Sequence, residues 1–138
     1  MKVNFEILYE HIGYLFYALA FESRQPSSLQ HDKLRQLIDK RWKADDLKND
    51  PLNLRLNEHL QSGVRHAITS SWHPEHAFTV FEEFYLVHRN SFGPVLKEQI
   101  QKSAIEIAQA FYTLQGHPKL AIELNWLLAS DRQVTSTV

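Results

Sequence analysis

The sequence predicts an all-α protein, a single compact bundle of about six to seven helices built over residues 1–138. Three observations carry that prediction. Apolar side chains recur at intervals of three and four along almost the whole chain, the spacing that lines one face of a helix. Strict apolar–polar alternation is absent outside the C-terminal tail. The breaks between periodic segments carry Pro, Gly and Ser in positions that start or stop helices. Apolar residues make up 43% of the chain and charged residues 22%, enough to build one core and too apolar for disorder.

The first helix is expected over roughly 4–22, with Phe5, Leu8, Ile12, Leu15, Phe16 and Leu19 on one face. Tyr9, Tyr14, Tyr17, Ala18 and Ala20 widen its apolar girth, so it should sit centrally with neighbours on several sides. Arg24-Gln25-Pro26-Ser27-Ser28 breaks the chain, and Ser27 with Gln30 has the form of a capping box. Leu34, Leu37, Ile38 and Trp42 then give the second helix its inner face. The polar run from Asp45 to Pro51 reads as the longest internal loop, and Leu56, Leu60, Val64, Ala67 and Ile68 carry the third helix.

Pro74 after His73 opens a fourth helix lined by Phe78, Phe81, Phe84, Tyr85 and His88. Gly93-Pro94 opens a long fifth with Leu96, Ile100, Ala104, Ile107, Ala108 and Phe111. Pro118 opens the last, with Leu120, Leu124, Leu127 and Leu128. Residues 132–138 hold strand-forming side chains without a partner strand and are expected to fray.

Several function classes are disfavoured. Cysteine is absent, which removes disulfides and thiolate metal sites and fits a cytoplasmic location. The balance of 15 Lys+Arg against 16 Asp+Glu lacks the basic excess of a nucleic-acid binder. Lys33, Arg35, Lys40, Arg41 and Lys43 cluster around Trp42, but Asp32, Asp39, Asp45 and Asp46 offset them. No apolar run approaches the ~20 residues a membrane span needs, so no membrane insertion is expected. Gly13, Gly63, Gly93 and Gly116 lie too far apart for a phosphate-binding loop, and no serine sits in a glycine-flanked elbow.

An internal echo relates the two halves. Ala18-Leu19-Ala20-Phe21 corresponds to Ala108-Gln109-Ala110-Phe111, and Leu34, Leu37 and Ile38 stand in register with Leu124, Leu127 and Leu128. Each unit reads as a long helix, a turn and a capped shorter helix. With His11-Ile12-Gly13-Tyr14-Leu15-Phe16-Tyr17-Ala18-Leu19-Ala20 and the later Gly116-His117-Pro118-Lys119, the chain resembles TerB-like proteins, the helical domains named for bacterial tellurite resistance. The likeness covers roughly residues 5–130. It implies a bacterial protein linked to stress response, two related helix pairs, and, in members with an acidic site, bound metal. Here the Ala-Asp-Gly turn of those members reads Ala20-Phe21-Glu22-Ser23, and Leu120 stands where a later glutamate belongs. Only Glu22 survives from that acidic set.

Three readings follow. The leading one is a non-enzymatic interaction module for a protein partner, with no cofactor, whose contact residues are Tyr9, Tyr14, Phe84 and Tyr85, because aromatics concentrate where interfaces bury surface. The alternative is a divalent-metal or small-ligand binder using Glu22, His73 and His76. His73 is also expected to cap the helix whose first turn holds His76, and His59 and His66, seven apart, share a helical face. The third is a hydrolase whose site forms only in three dimensions. His31-Asp32 is similar to the dipeptide of metal-dependent phosphohydrolases, although an aspartate near a helix start also suits the helix dipole.

Overall fold

Six α-helices make up nearly all the described backbone in the computed structural model, which describes residues 4–22, 28–42, 51–111 and 119–136, with side chains described outside 51–56 and 130–136. They are α1 (Phe5–Ala20), α2 (Ser28–Arg41), α3 (Pro51–Thr69), α4 (Pro74–Val87), α5 (Pro94–Phe111) and α6 (Lys119–Ser136), with a 3-10 turn at Arg89–Ser91 between α4 and α5. No strand occurs among the described residues. The proposed capping box at Ser27 and the break at Gly116–Pro118 lie outside the described residues.

The apolar girth of α1 has the consequence its sequence predicts. Asn4 starts the helix by accepting the Glu6 N–H at 2.8 Å, and the Phe21 N–H closes its last turn on Tyr17 O. Leu8, Ile12, Leu15, Phe16 and Leu19 are buried, Phe5 on the same predicted face is 53% exposed in the first turn, and α1 packs against α3, α4, α5 and α6. Each such side chain contributes about 1.5–3 kcal/mol through removal from water. The closest of these crossings is with α3. A Cβ on Gly13 would lie 2.3 Å from Leu60 O, and one on Gly63 would lie 2.2 Å from Glu10 O. The two backbones touch there because neither residue has a side chain.

The turn from α3 into α4 is a Schellman motif. Ser71 N–H donates to Ile68 O and Trp72 N–H to Ala67 O, both at 3.0 Å, with Ser71 in the left-handed region at φ 54°. That turn brings Trp72 O within 2.5 Å of the Tyr17 hydroxyl, which donates to it. His73 is the N-cap of α4, its Nδ1 accepting the Glu75 N–H at 3.3 Å. Ala77, Phe78, Phe81 and Tyr85 form the buried face of α4.

On the other side of the molecule α2 lies against α3 and α5. Leu34 and Ile38 are buried, and polar side chains latch the helix in place. Trp42 Nε1–H donates to Ser103 Oγ at 3.0 Å, Lys33 Nζ to Ala110 O at 2.6 Å, and Arg41 pairs with Glu106. Asn57 Nδ2–H and Gln61 Nε2–H both donate to Asp39, at 2.7 and 3.3 Å. Ile100, Ala104, Ile107 and Phe111 of α5 and Leu120, Leu124 and Leu128 of α6 complete the core.

The echo in the sequence has a spatial counterpart. Leu34 and Leu124 are fully buried, Ile38 and Leu128 nearly so, and Leu37 and Leu127 are both partly buried against the core. Phe21 and Phe111, the paired phenylalanines, meet edge-to-face with centroids 5.8 Å apart.

One expectation is corrected. Pro51 is the first residue of α3 rather than part of the loop, the N-terminal position where a missing N–H costs no helical bond. The last helix, α6, runs through Ser136.

Candidate interaction surface

Helical spacing puts Ile7, Glu10, His11 and Tyr14 on one stripe of α1. The stripe runs between α3 and α4 and stays partly open: Ile7 is 43% exposed, and the other three are half-buried. On the α4 side His11 stacks on Phe84, centroids 4.0 Å apart and planes 18° from parallel. Phe84 in turn lies 4.5 Å from His88, the C-cap of α4. On the α3 side Tyr14 meets His66 at 6.0 Å and Trp72 at 4.9 Å, and Trp72 touches His66 at 5.2 Å and His76 at 4.9 Å. His11 also meets Tyr14 edge-on at 4.9 Å. The result is a continuous band of rings across three helices, with His66 and His76 exposed at its edge.

The chemistry of His11 is set by its contacts. Its Nδ1 lies 2.7 Å from Ile7 O, and a carbonyl only accepts, so Nδ1 carries the proton of the neutral ring and Nε2 is the basic atom. Burial holds its pKa below the ordinary histidine value. The bond to Ile7 O and the nearby Glu10 carboxylate act the other way, and His88 adds to the lowering. Burial also raises the Tyr14 phenol, with Glu10 contributing.

Of the four predicted contact residues, the fold unites two. Tyr14 and Phe84 join through His11. Tyr9 lies apart, half-buried and edge-on to Trp42 at 6.0 Å. Tyr85 is corrected: it is fully buried, packed on Phe92 at 5.0 Å and Phe81 at 6.1 Å. One helical step, about 100°, separates it from Phe84 and turns it onto the face of Ala77, Phe78 and Phe81.

The candidate ligands for a metal are used otherwise. Glu22 Oε1 accepts the Leu120 N–H at 2.9 Å at the start of α6, where burial raises its pKa against the opposing backbone bonds to Leu120 and Lys119. His73 caps α4, and His76 lies edge-on to Trp72. Among the described residues no group of three or more His, Asp or Glu is placed to hold a metal ion. His59 and His66 do share a face of α3, but His59 sits 3.9 Å from Glu6 while His66 joins the ring band. The cations around Trp42 are largely engaged, Lys33, Arg35 and Arg41 each bonding a neighbour.

Sequence reasoning passed over His11, Trp72 and His88 as site residues. The one signal for His11 was its spacing, four after Ile7 and three before Tyr14. These features define an all-helical bundle with a ring-lined surface band, and no described helix is long and apolar enough to cross a membrane. Compared with known proteins, the chain matches no family model, no curated protein and no solved structure.

Proposed function

We propose that the chain is a TerB-like, non-enzymatic interaction module that holds a protein partner on the ring band centred on Tyr14, His11 and Phe84. The observation that carries this reading is the juxtaposition itself. Aromatic side chains from α1, α3 and α4 form one continuous, partly exposed surface, with Ile7 open beside it. Rings of this kind offer large contact area at low entropic cost, the property that enriches them at binding sites. The TerB-like part of the reading is supported by the paired helices of the echo and by Phe21 meeting Phe111. A cytoplasmic site of action, suggested by the lack of cysteine, and a link to stress response, implied by the resemblance, belong to the same proposal.

The test is affinity capture from the native organism with the wild-type chain and with Tyr14→Ser/Phe84→Ser, after circular dichroism shows both to be helical. A specific partner retained by the wild type and lost by the variant is the expected result. An identical set of captured proteins from both would end the reading.

A further inference from the structure

The formal net charge of −1 conceals an acidic excess on the helices that build the ring band. The described side chains of α1, α3 and α4, which build the ring band, include Glu6, Glu10, Glu58, Glu75, Glu82 and Glu83. Against these six stand Arg65 on α3 and Arg89 in the turn just after α4. Helix α2 carries the opposite excess, Lys33, Arg35, Lys40 and Arg41 against Asp32 and Asp39, while α5 is balanced, Lys97 and Lys102 against Glu98 and Glu106. Two of the glutamates belong to the band's own helix. Glu10 lies in the open stripe and acts electrostatically on both His11 and Tyr14, and Glu6, one turn earlier, is 62% exposed.

We propose that the band receives an arginine-bearing segment of a partner protein, its guanidinium groups lying on the partly exposed rings and pairing with Glu10 and Glu6. The inference rests on the reading of the band as a contact surface and names the chemistry of what it contacts. A planar guanidinium is attracted to the face of an aromatic ring and binds a carboxylate through parallel hydrogen bonds, so rings beside carboxylates suit arginine better than lysine. Phosphate-bearing partners are the wrong sign for this face. The glutamates would repel both a nucleic-acid backbone and an anionic lipid surface. A purely apolar partner would leave Glu10 desolvated and unpaired, which costs free energy rather than contributing it.

The test uses the purified full chain and three short labelled peptides, arginine–serine, lysine–serine and glutamate–serine, followed by fluorescence anisotropy. Backbone amide shifts around Tyr14 and Phe84 locate the contact. The arginine peptide should bind most tightly, weaken as salt rises, and lose roughly tenfold in affinity in Glu6→Gln/Glu10→Gln. Glu98→Gln, which removes an exposed charge on α5 paired with Lys102, should leave binding unchanged. Equal binding of the arginine and lysine peptides would overturn the assignment. So would binding no tighter than that of the glutamate peptide, or an equal loss in Glu98→Gln. If the peptide fails while the Tyr14→Ser/Phe84→Ser variant still loses a cellular partner, the contact surface stands and the arginine chemistry falls. If both experiments fail, the contact surface itself is refuted.

Discussion

His11 shows how much one side chain can couple. Its ring is held on Phe84 and against Tyr14, with Nδ1–H donated to Ile7 O. Because burial lowers its pKa in the folded state, the unfolded chain takes up a proton first as pH falls. The stabilising contribution of the neutral ring is therefore complete above about pH 6.5, the unfolded histidine value. It is lost progressively below that, until the folded form is protonated as well. Urea unfolding across that range should show wild-type stability falling with pH, and His11→Gln should fall less steeply. Equal slopes for the two proteins would show that His11 does not contribute to acid sensitivity. The same scale explains Tyr85: it differs from Phe84 by one position in sequence, and that single step carries it from the surface to the core.

At the scale of elements, the contact of α1 with α3 dominates. Neither helix is unusual in its periodicity, yet Gly13 and Gly63 let their backbones meet, each over a carbonyl of the other helix. Adding one methyl group at Gly63 forces the helices apart, because the obstructing atoms are backbone and cannot swing aside. Gly63→Ala is expected to destabilise the fold by about 3 kcal/mol or more in urea titration. Gly93, just before α5, has nothing within 4 Å of an added Cβ, so Gly93→Ala should stay within about 1 kcal/mol of wild type. A tolerated Gly63→Ala would mean the helices do not cross as closely as described. The α3–α4 turn matters in the same way, since it delivers Trp72 to Tyr14 and Tyr17 and so completes the band.

Across the whole molecule, the two echoing segments meet where Phe21 packs on Phe111. Both rings are buried, and Lys33 extends over Phe111 to bond Ala110 O. Replacing either phenylalanine by alanine is expected to cost about 3–5 kcal/mol. The double variant should cost less than the sum by about 0.5–1.5 kcal/mol, the ring–ring contribution. Strict additivity in a double-mutant cycle would mean that the two segments are not coupled through this pair. The acidic excess of the ring-band side also belongs to this scale. Acidic helices α1 and α4 come together on one side, while the cations of α2 engage acceptors on α5.

Local chemistry was enough to specify the helices. Spacing of three and four predicts each of them, proline at the first helical position marks the starts of α4 and α5, and the girth of α1 foretells its central place. Apart from Phe5, the inner residues of α1 follow from the same periodicity, because burying an apolar face is the main driving force and depends on which side chains share it. The ring band was half legible. Tyr14 and Phe84 stood out as excess aromatics, but seventy positions separate them, and nothing local joins them to His11, Trp72 and His88. Tertiary structure alone decided three things: that Gly13 meets Gly63, that Tyr85 turns inward, and that Glu22 serves the start of α6. Each of these is a meeting between residues whose local sequences are indifferent to one another, and such meetings are set by how whole helix faces close over the core.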